Sequence, residues 1–271
     1  MSLFRPERLC VGLAPERITI VRVATGRVPR ALSDTAVAAD LNPRAPQLAP
    51  LFEGINVMRA GARDVQIVLA DPLVRYFVTE APQGLRSRAE LRGAIDARFE
   101  EQFGLSLAEW EICTDLAPGC DSYLACAVPR KLLAGLRDGC LAAKLGLRGL
   151  APFAVSEMNR WHRRLPKRDF WFAAAGHGAL TLGYRAKRGW RGMRTHTANG
   201  KAEAQLPVLL ERDGLRLGVA GEAPLHCSGL VSQPVESASS DVLTRVGAGL
   251  WPGQAEAWSR EYRLALSGVW L

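Results

Sequence analysis

Residues 8–23 read RLCVGLAPERITIVRV, two apolar stretches interrupted by Pro15 and Glu16. The strand-like patterning of Leu9–Leu13 and Ile18–Val23 predicts a hairpin at the head of the chain, with a third strand near Val28–Leu32. In 46–62, Leu48, Leu51, Phe52, Ile55 and Met58 fall on one helical stripe, and Gly61 offers an end. The run DVQIVLAD (64–71) is almost continuously apolar, as a strand buried on both faces requires. Residues 87–103 carry the clearest helix: Ser87 and Glu90 have capping-box spacing, Leu91, Ile95, Phe99 and Phe103 recur every four residues, and Gly104 stands where a left-handed C-cap is needed.

Strands are expected at 108–115 and 122–128 around Pro118–Gly119, then a helix opened by Pro129 and stopped by Gly146. A short strand at 147–151 leads into a helix that starts at Phe153 and ends before Pro166. From 169 to 198 the pattern predicts three antiparallel strands, with turns at Gly176-His177-Gly178 and near Gly189. A helix around 202–213 containing Pro207, a strand at 215–221, a loop-like stretch at 231–241 and, in EYRLALSGVWL, a last strand of the second lobe or a docking tail complete the reading. No short tandem repeat is present, but each half opens with an antiparallel meander followed by helix and strand. The fold class that follows is mixed α/β with two lobes: residues 1–165 with an inserted subdomain at about 80–150, and a smaller, truncated second lobe at 166–271, the boundary lying in RRLPKR.

Composition narrows the function. The chain has 271 residues, 48% hydrophobic and 23% charged, which fits a folded core rather than disorder. Its net charge of +8 is concentrated in RWHRRLPKR (160–168) and YRAKRGWRGMR (184–194). Such a surface attracts nucleic acid, anionic lipid or an acidic protein. Trp161, Trp171 and Trp190 lie among these cations, as in a clamp for single strands, whereas the alternation of 184–194 reads more simply as a hairpin with one packed face and one wet arginine face. Six cysteines without a C-x-x-C pair fit free thiols in a reducing compartment. No run reaches the roughly 18 apolar residues of a membrane span, and the start lacks a signal-like apolar core, so a cytoplasmic location is expected.

Two related lobes of this element order match the ribonuclease H-like or actin-like architecture. Within it, ELRGAIDARFEEQFG (90–104), the Trp110-Glu111-Ile112 strand and ACAVPRKLLAGLRDGCLAAKLGLRGLAPFAVSEMNRW (125–161) resemble the PilM-type proteins of type IV pilus assembly, with MshI-like pilus proteins and the cytoplasmic part of the secretion protein GspL. The resemblance spans 73–161, about a third of the chain. In nucleotide-binding members of the superfamily each lobe places Asp-x-Gly at a hairpin bend, the glycine letting backbone N–H groups approach phosphate and the carboxylate organising magnesium. Here Gly12 aligns with the first acid, Ala14 with its glycine, and Thr19 lies near the place of a phosphate-facing lysine. The second hairpin keeps Gly176 and Gly178 but has Ala174 at the acid; Asp169 is too far back along the strand, and the adenosine-contacting turn is thinned to VAGEA (219–223). The resemblance therefore implies a pseudo-ATPase with degenerate phosphate turns and no ATP or magnesium cofactor. Nucleotide held by backbone donors alone is the remaining option.

Other chemistry finds no motif: there is no P-loop, no G-x-G-x-x-G after a strand and no H-E-x-x-H. His226 and Cys227 would point to opposite faces of a strand, and His177 reads as a polar turn residue, so no catalytic or metal-ligating residue is expected. What the resemblance implies is a non-catalytic scaffold that binds the short cytoplasmic tail of a bitopic inner-membrane partner, PilN-like or of the GspL/GspM kind, in a groove of the first lobe beside the capping-box helix. Tyr76, Phe77, Phe99 and Phe103 are candidate anchors there, Phe99 and Phe103 being equally readable as core. The alternatives are an actin-like ATPase that binds ATP and a basic nucleic-acid-binding protein.

Overall fold

The computed structural model describes residues 6–25, 29–42, 45–80, 84, 87–115, 120–198, 202–219, 223–228, 243–245 and 262–268. The turn at Pro118–Gly119, most of the 219–223 turn and the loop at 231–241 lie outside the described residues. The chain divides into two units, 1–73 with 129–162 and 249–271, and 74–128 with 163–248. Among the described residues no helix is long and apolar enough to cross a membrane.

In the first unit β1 (Glu7–Ala14), β2 (Arg17–Ala24) and β3 (Arg30–Ala38) form an antiparallel meander. β4 (Asp64–Leu69) and β8 (Gly146–Pro152) join it in parallel, in the order β3-β2-β1-β4-β8. Period-two alternation splits the two central strands between two layers. On one side Ile20 lies under α1 (Ala49–Met58), whose Gly54 lets the helix approach: a Cβ there would sit 2.7 Å from Ile20 Cδ1. On the other side Cys10, Val21 and Val23 cluster with Ala265 and Leu266. α3 (Arg130–Ala142) begins directly after Pro129, as its fixed φ favours. α4 (Phe153–Trp161) is held at its start by buried Asp71, whose Oδ1 accepts from Ala154 N at 3.0 Å.

The second unit carries β5 (Arg75–Glu80), α2 (Arg88–Phe103), β6 (Trp110–Thr114), β7 (Ser122–Pro129), β9 (Phe170–Gly176), β10 (Ala179–Ala186), β11 (Gly189–Thr197), α5 (Ala202–Leu217), β12 (Leu225–Ser228) and β13 (Leu243–Arg245). Its sheet runs β13-β12-β9-β10-β11-β7-β5, with β6 on β7. Two cores flank the junction of β7 and β11. One gathers Phe77, Leu91, Ile95, Phe99, Trp110 and Ile112; the other gathers Trp171, Leu180, Leu182, Tyr184, Leu206 and Leu209. Ser87 caps α2 by accepting from Glu90 N at 3.1 Å, and Gly104, at φ 62°, ends it with N–H to Glu100 O at 2.8 Å.

Ser122 pairs with Gly189, which joins 74–128 to the later strands, and two expectations about single elements change. Of the strand expected at 215–221, residues 215–217 are helical: α5 continues to Leu217, which packs on Gly192, and Gly218 at φ 62° stops it, while 220 and 221 lie outside the described residues. The C-terminal segment supplies a helix, α6 (Arg263–Ser267), where a last strand was expected. Its apolar residues are claimed by the open face of β1 and β2 rather than by a sheet edge, and that contact decides helix over strand.

Candidate functional site

The first hairpin turns at Pro15–Glu16, with Gly12 opposite Thr19 in register. Thr19 is buried and its Oγ1 donates to Gly12 O at 3.4 Å. A Cβ on Gly12 would lie 2.6 Å from Thr19 Oγ1, 2.7 Å from Ala265 N and 2.8 Å from Leu264 Cβ. The volume into which a metal-organising carboxylate would project is therefore filled by the chain's own α6. That helix is secured by two buried hydrogen bonds, Ser156 Oγ to Ser267 O at 2.9 Å and Ser267 Oγ to Leu264 O at 2.8 Å. Ala14 offers no acid, and Thr19 points into the packed layer.

The second hairpin is a two-residue turn with His177 at φ 54° and Gly178 at φ 72°, the left-handed pair that suits strand twist. His177 thus occupies a position set by turn geometry. Ala174 is buried opposite Thr181, whose Oγ1 meets Thr195 Oγ1 at 3.0 Å, so this position too is closed by packing. Asp169 lies at the other end of β9, where its carboxylate accepts from Lys187 N at 2.8 Å and from Tyr184 OH at 3.2 Å and so clamps the strand ends. Burial and this carboxylate both push the Tyr184 hydroxyl pKa up.

The candidate anchors lie on two elements, Tyr76 and Phe77 on β5 and Phe99 and Phe103 on α2. Phe77 and Phe99 are fully buried, and with Phe103 and Trp110 they form one aromatic core with ring centroids 5.3–6.0 Å apart. Only Phe103 keeps part of its ring exposed, and Tyr76 is buried on the alternate face of β5. Phe77, Phe99, Phe103 and Trp110 hold α2 to its sheet.

The tryptophans of the basic stretch are also engaged in packing. Trp171 is buried against Tyr184 at 4.9 Å between centroids, and Trp190 meets Phe170 edge-on at 6.2 Å. His226 and Cys227 do face opposite ways: Cys227 joins the core under α5, while His226 lies edge-on to Phe170 at 5.6 Å. Among the described residues no group of three or more His, Cys, Asp or Glu side chains is placed to hold a metal.

One cluster escaped the sequence reading. His196 on β11 places Nε2 2.8 Å from Asp213 Oδ2 and Nδ1 2.9 Å from Arg212 Nη2, which bridges the strand to α5. Asp213 is buried. Burial alone would raise its pKa, but the hydrogen bond to His196 and the charges of Arg212 and Arg194 bring it below the ordinary value. The available signal was an acid inside the apolar stripe Leu206, Leu209, Leu210, Leu217 of a helix, since a buried carboxylate needs partners.

No protein-family model matches the chain, and no curated protein matches it significantly. Solved structures do. Over 98% of both chains it superposes on a chain of the PilM-PilN type IV pilus biogenesis complex, with TM-score 0.64 and 16% identity. The cytoplasmic domain of EpsL, an inner-membrane component of the type II secretion system of Vibrio cholerae, gives TM-score 0.60 at 14% identity over 89% of this chain and 90% of that one. A Bacteroides thetaiotaomicron protein with actin-like ATPase fold and unknown function gives 0.56 at 10% identity over 86% of each. The fold is the actin-like ATPase fold. Within it Gly12 and Ala174 are both enclosed by the protein's own packing.

Proposed function

We propose that the chain is a non-catalytic cytoplasmic scaffold of a type IV pilus or type II secretion-type inner-membrane assembly, and that it binds the cytoplasmic tail of a single-span membrane partner. The observation that carries this reading is the filling of the Gly12 position by α6 in an actin-like fold. A phosphate turn whose metal side is occupied by backbone has no place for hydrated magnesium. The likeness to the PilM-PilN structure over nearly the whole chain supports the choice of assembly. Binding an extended tail needs no reactive group, only strand-edge N–H and C=O groups and pockets for alternate side chains. The first unit has two outer strands of this type, β3 and β8.

Calorimetry with two titrants tests the reading. The expected results are no saturable heat with ATP and magnesium, and saturable binding of a synthetic peptide copying the cytoplasmic tail of a PilN-like single-span inner-membrane protein. Saturable nucleotide binding with phosphate release overturns the non-catalytic part; a silent peptide titration overturns the partner. A Gly12→Asp variant sharpens the first arm. It should lose about 1–3 kcal/mol of stability from overpacking and gain no affinity for nucleotide.

A further inference from the structure

The charge around Asp213 does not balance. Arg194 on β11 feels the charges of Arg212 and Arg216 on α5 as well as that of the one buried carboxylate, Asp213. Arg212 is pinned sideways by His196 Nδ1 and by Asp213, with Nε 3.6 Å from Oδ1. Arg194 and Arg216 flank a small pocket floored by Trp171, Leu182, Met193 and Leu217. Beside these cations on α5, Val208 is 66% and Leu215 79% exposed. Seven residues apart, they lie within about 20° of each other around the helix, with Arg212 and Arg216 between them and the pocket. The outer surface is thus an apolar pair at heptad spacing with exposed Glu211 on one flank and, on the other, a row of guanidiniums and a dimple.

We propose that this face of α5 and β11 docks an acidic amphipathic helix of a protein partner, its apolar side chains meeting Val208 and Leu215 and its carboxylates taking the forks of Arg194, Arg212 and Arg216. Charge complementarity selects an acid, since two or three carboxylates would balance the cluster. The seven-residue repeat selects a helix, because knobs spaced by seven positions match a partner packed along α5. Fixed orientation selects a protein over a membrane. A guanidinium held by an imidazole and a buried carboxylate presents a set fork for bidentate pairing, whereas a lipid surface is bound by mobile side chains and large apolar wedges. The surface stands apart from the tail-binding role, so either can fail alone.

Fluorescence anisotropy on the full chain tests it with a labelled 21-residue helical peptide carrying leucine at heptad spacing and glutamate on both flanks, and with its lysine-flanked counterpart. At about 0.1 M salt, where exposed charges further apart than ~10 Å are screened, the glutamate peptide should bind saturably and the lysine peptide should not. Arg216→Glu and Leu215→Glu, both at exposed positions, should each weaken the glutamate peptide at least tenfold with an unchanged thermal midpoint. Arg212→Glu/Arg216→Glu should reverse the preference toward the lysine peptide. Equal affinity for both peptides, no binding, or insensitivity to these substitutions overturns the proposal. So does tighter binding to phosphatidylglycerol-containing vesicles that the same substitutions abolish, which would make the face a membrane contact.

Discussion

His226 is buried in the second unit, and neither ring nitrogen has a hydrogen-bond partner among the described residues. Burial, and then the charge of Arg168, lower its pKa. The unfolded chain, with an ordinary imidazole near pH 6.5, therefore takes up its proton first as the solution is acidified. The sign follows: the His226 contribution is complete above about pH 6.5 and is lost progressively as pH falls toward the depressed folded value. Urea unfolding midpoints should drop between pH 7.5 and 5.5, and a His226→Phe variant should lose less over the same interval. An identical drop in both proteins would remove His226 as the cause. At this scale the sequence shows in one letter each that Gly12 and Ala174 carry no carboxylate. It could not show that α6 fills the space at Gly12, which depends on residues some 250 positions away.

Elements with local signals were legible. Ser87, Gly104, Pro129 and the four-residue recurrence of Leu91, Ile95 and Phe99 act within one or two turns of the backbone they control, and α2 and α3 follow them closely. Where tertiary contact decides, the pattern misled: LRLG and LALS are apolar enough for a strand, yet each is helical because a particular surface receives it. Contact between α1 and α3 shows how specific such surfaces are. Leu48 abuts Gly135 and the Phe52 ring lies where a Cβ of Gly139 would be, while Arg59 Nη1 donates to Ala143 O at 2.6 Å. Gly139→Ala should improve helix propensity by up to about 1 kcal/mol but lose more than that, roughly 1–3 kcal/mol, through overpacking against Phe52. In a Phe52→Ala background the same change should be near neutral or stabilising. The coupling, read from denaturant midpoints of the four proteins, should exceed about 1 kcal/mol; additive effects would mean that the ring moves aside freely.

Across the whole molecule, the path of the chain matters more than its consecutive halves, because the first unit is completed by a segment that arrives last. α6 covers the face of β1 and β2 that carries Cys10, Val21 and Val23, so this part of the core is finished only when residues 262–268 are in place. Element order foretold the actin-like fold, since meanders and helices recur in sequence. The grouping of the segments was hidden, because the pairing of Ser122 with Gly189 and the seating of Ala265 on Gly12 are long-range contacts without a local signal. Thiol chemistry gives a direct measure of this closure. Cys10 is buried beneath α6, and desolvation pushes its thiol pKa up to about 12, so it is protected both by exclusion and by its protonation state. Cys113 is exposed and serves as an internal reference. In the full chain a maleimide at pH 7.5 should label Cys113 rapidly and leave Cys10 untouched until the first unit opens. Ala265→Glu, which places a charge against the Cys10 layer, should release Cys10 to labelling at denaturant concentrations at which Phe99 and Trp110 of the second unit remain folded, as followed by tryptophan fluorescence. Cys10 labelling as fast as Cys113 in the unsubstituted chain would mean that α6 does not close this face in solution, and the space at Gly12 would then be open.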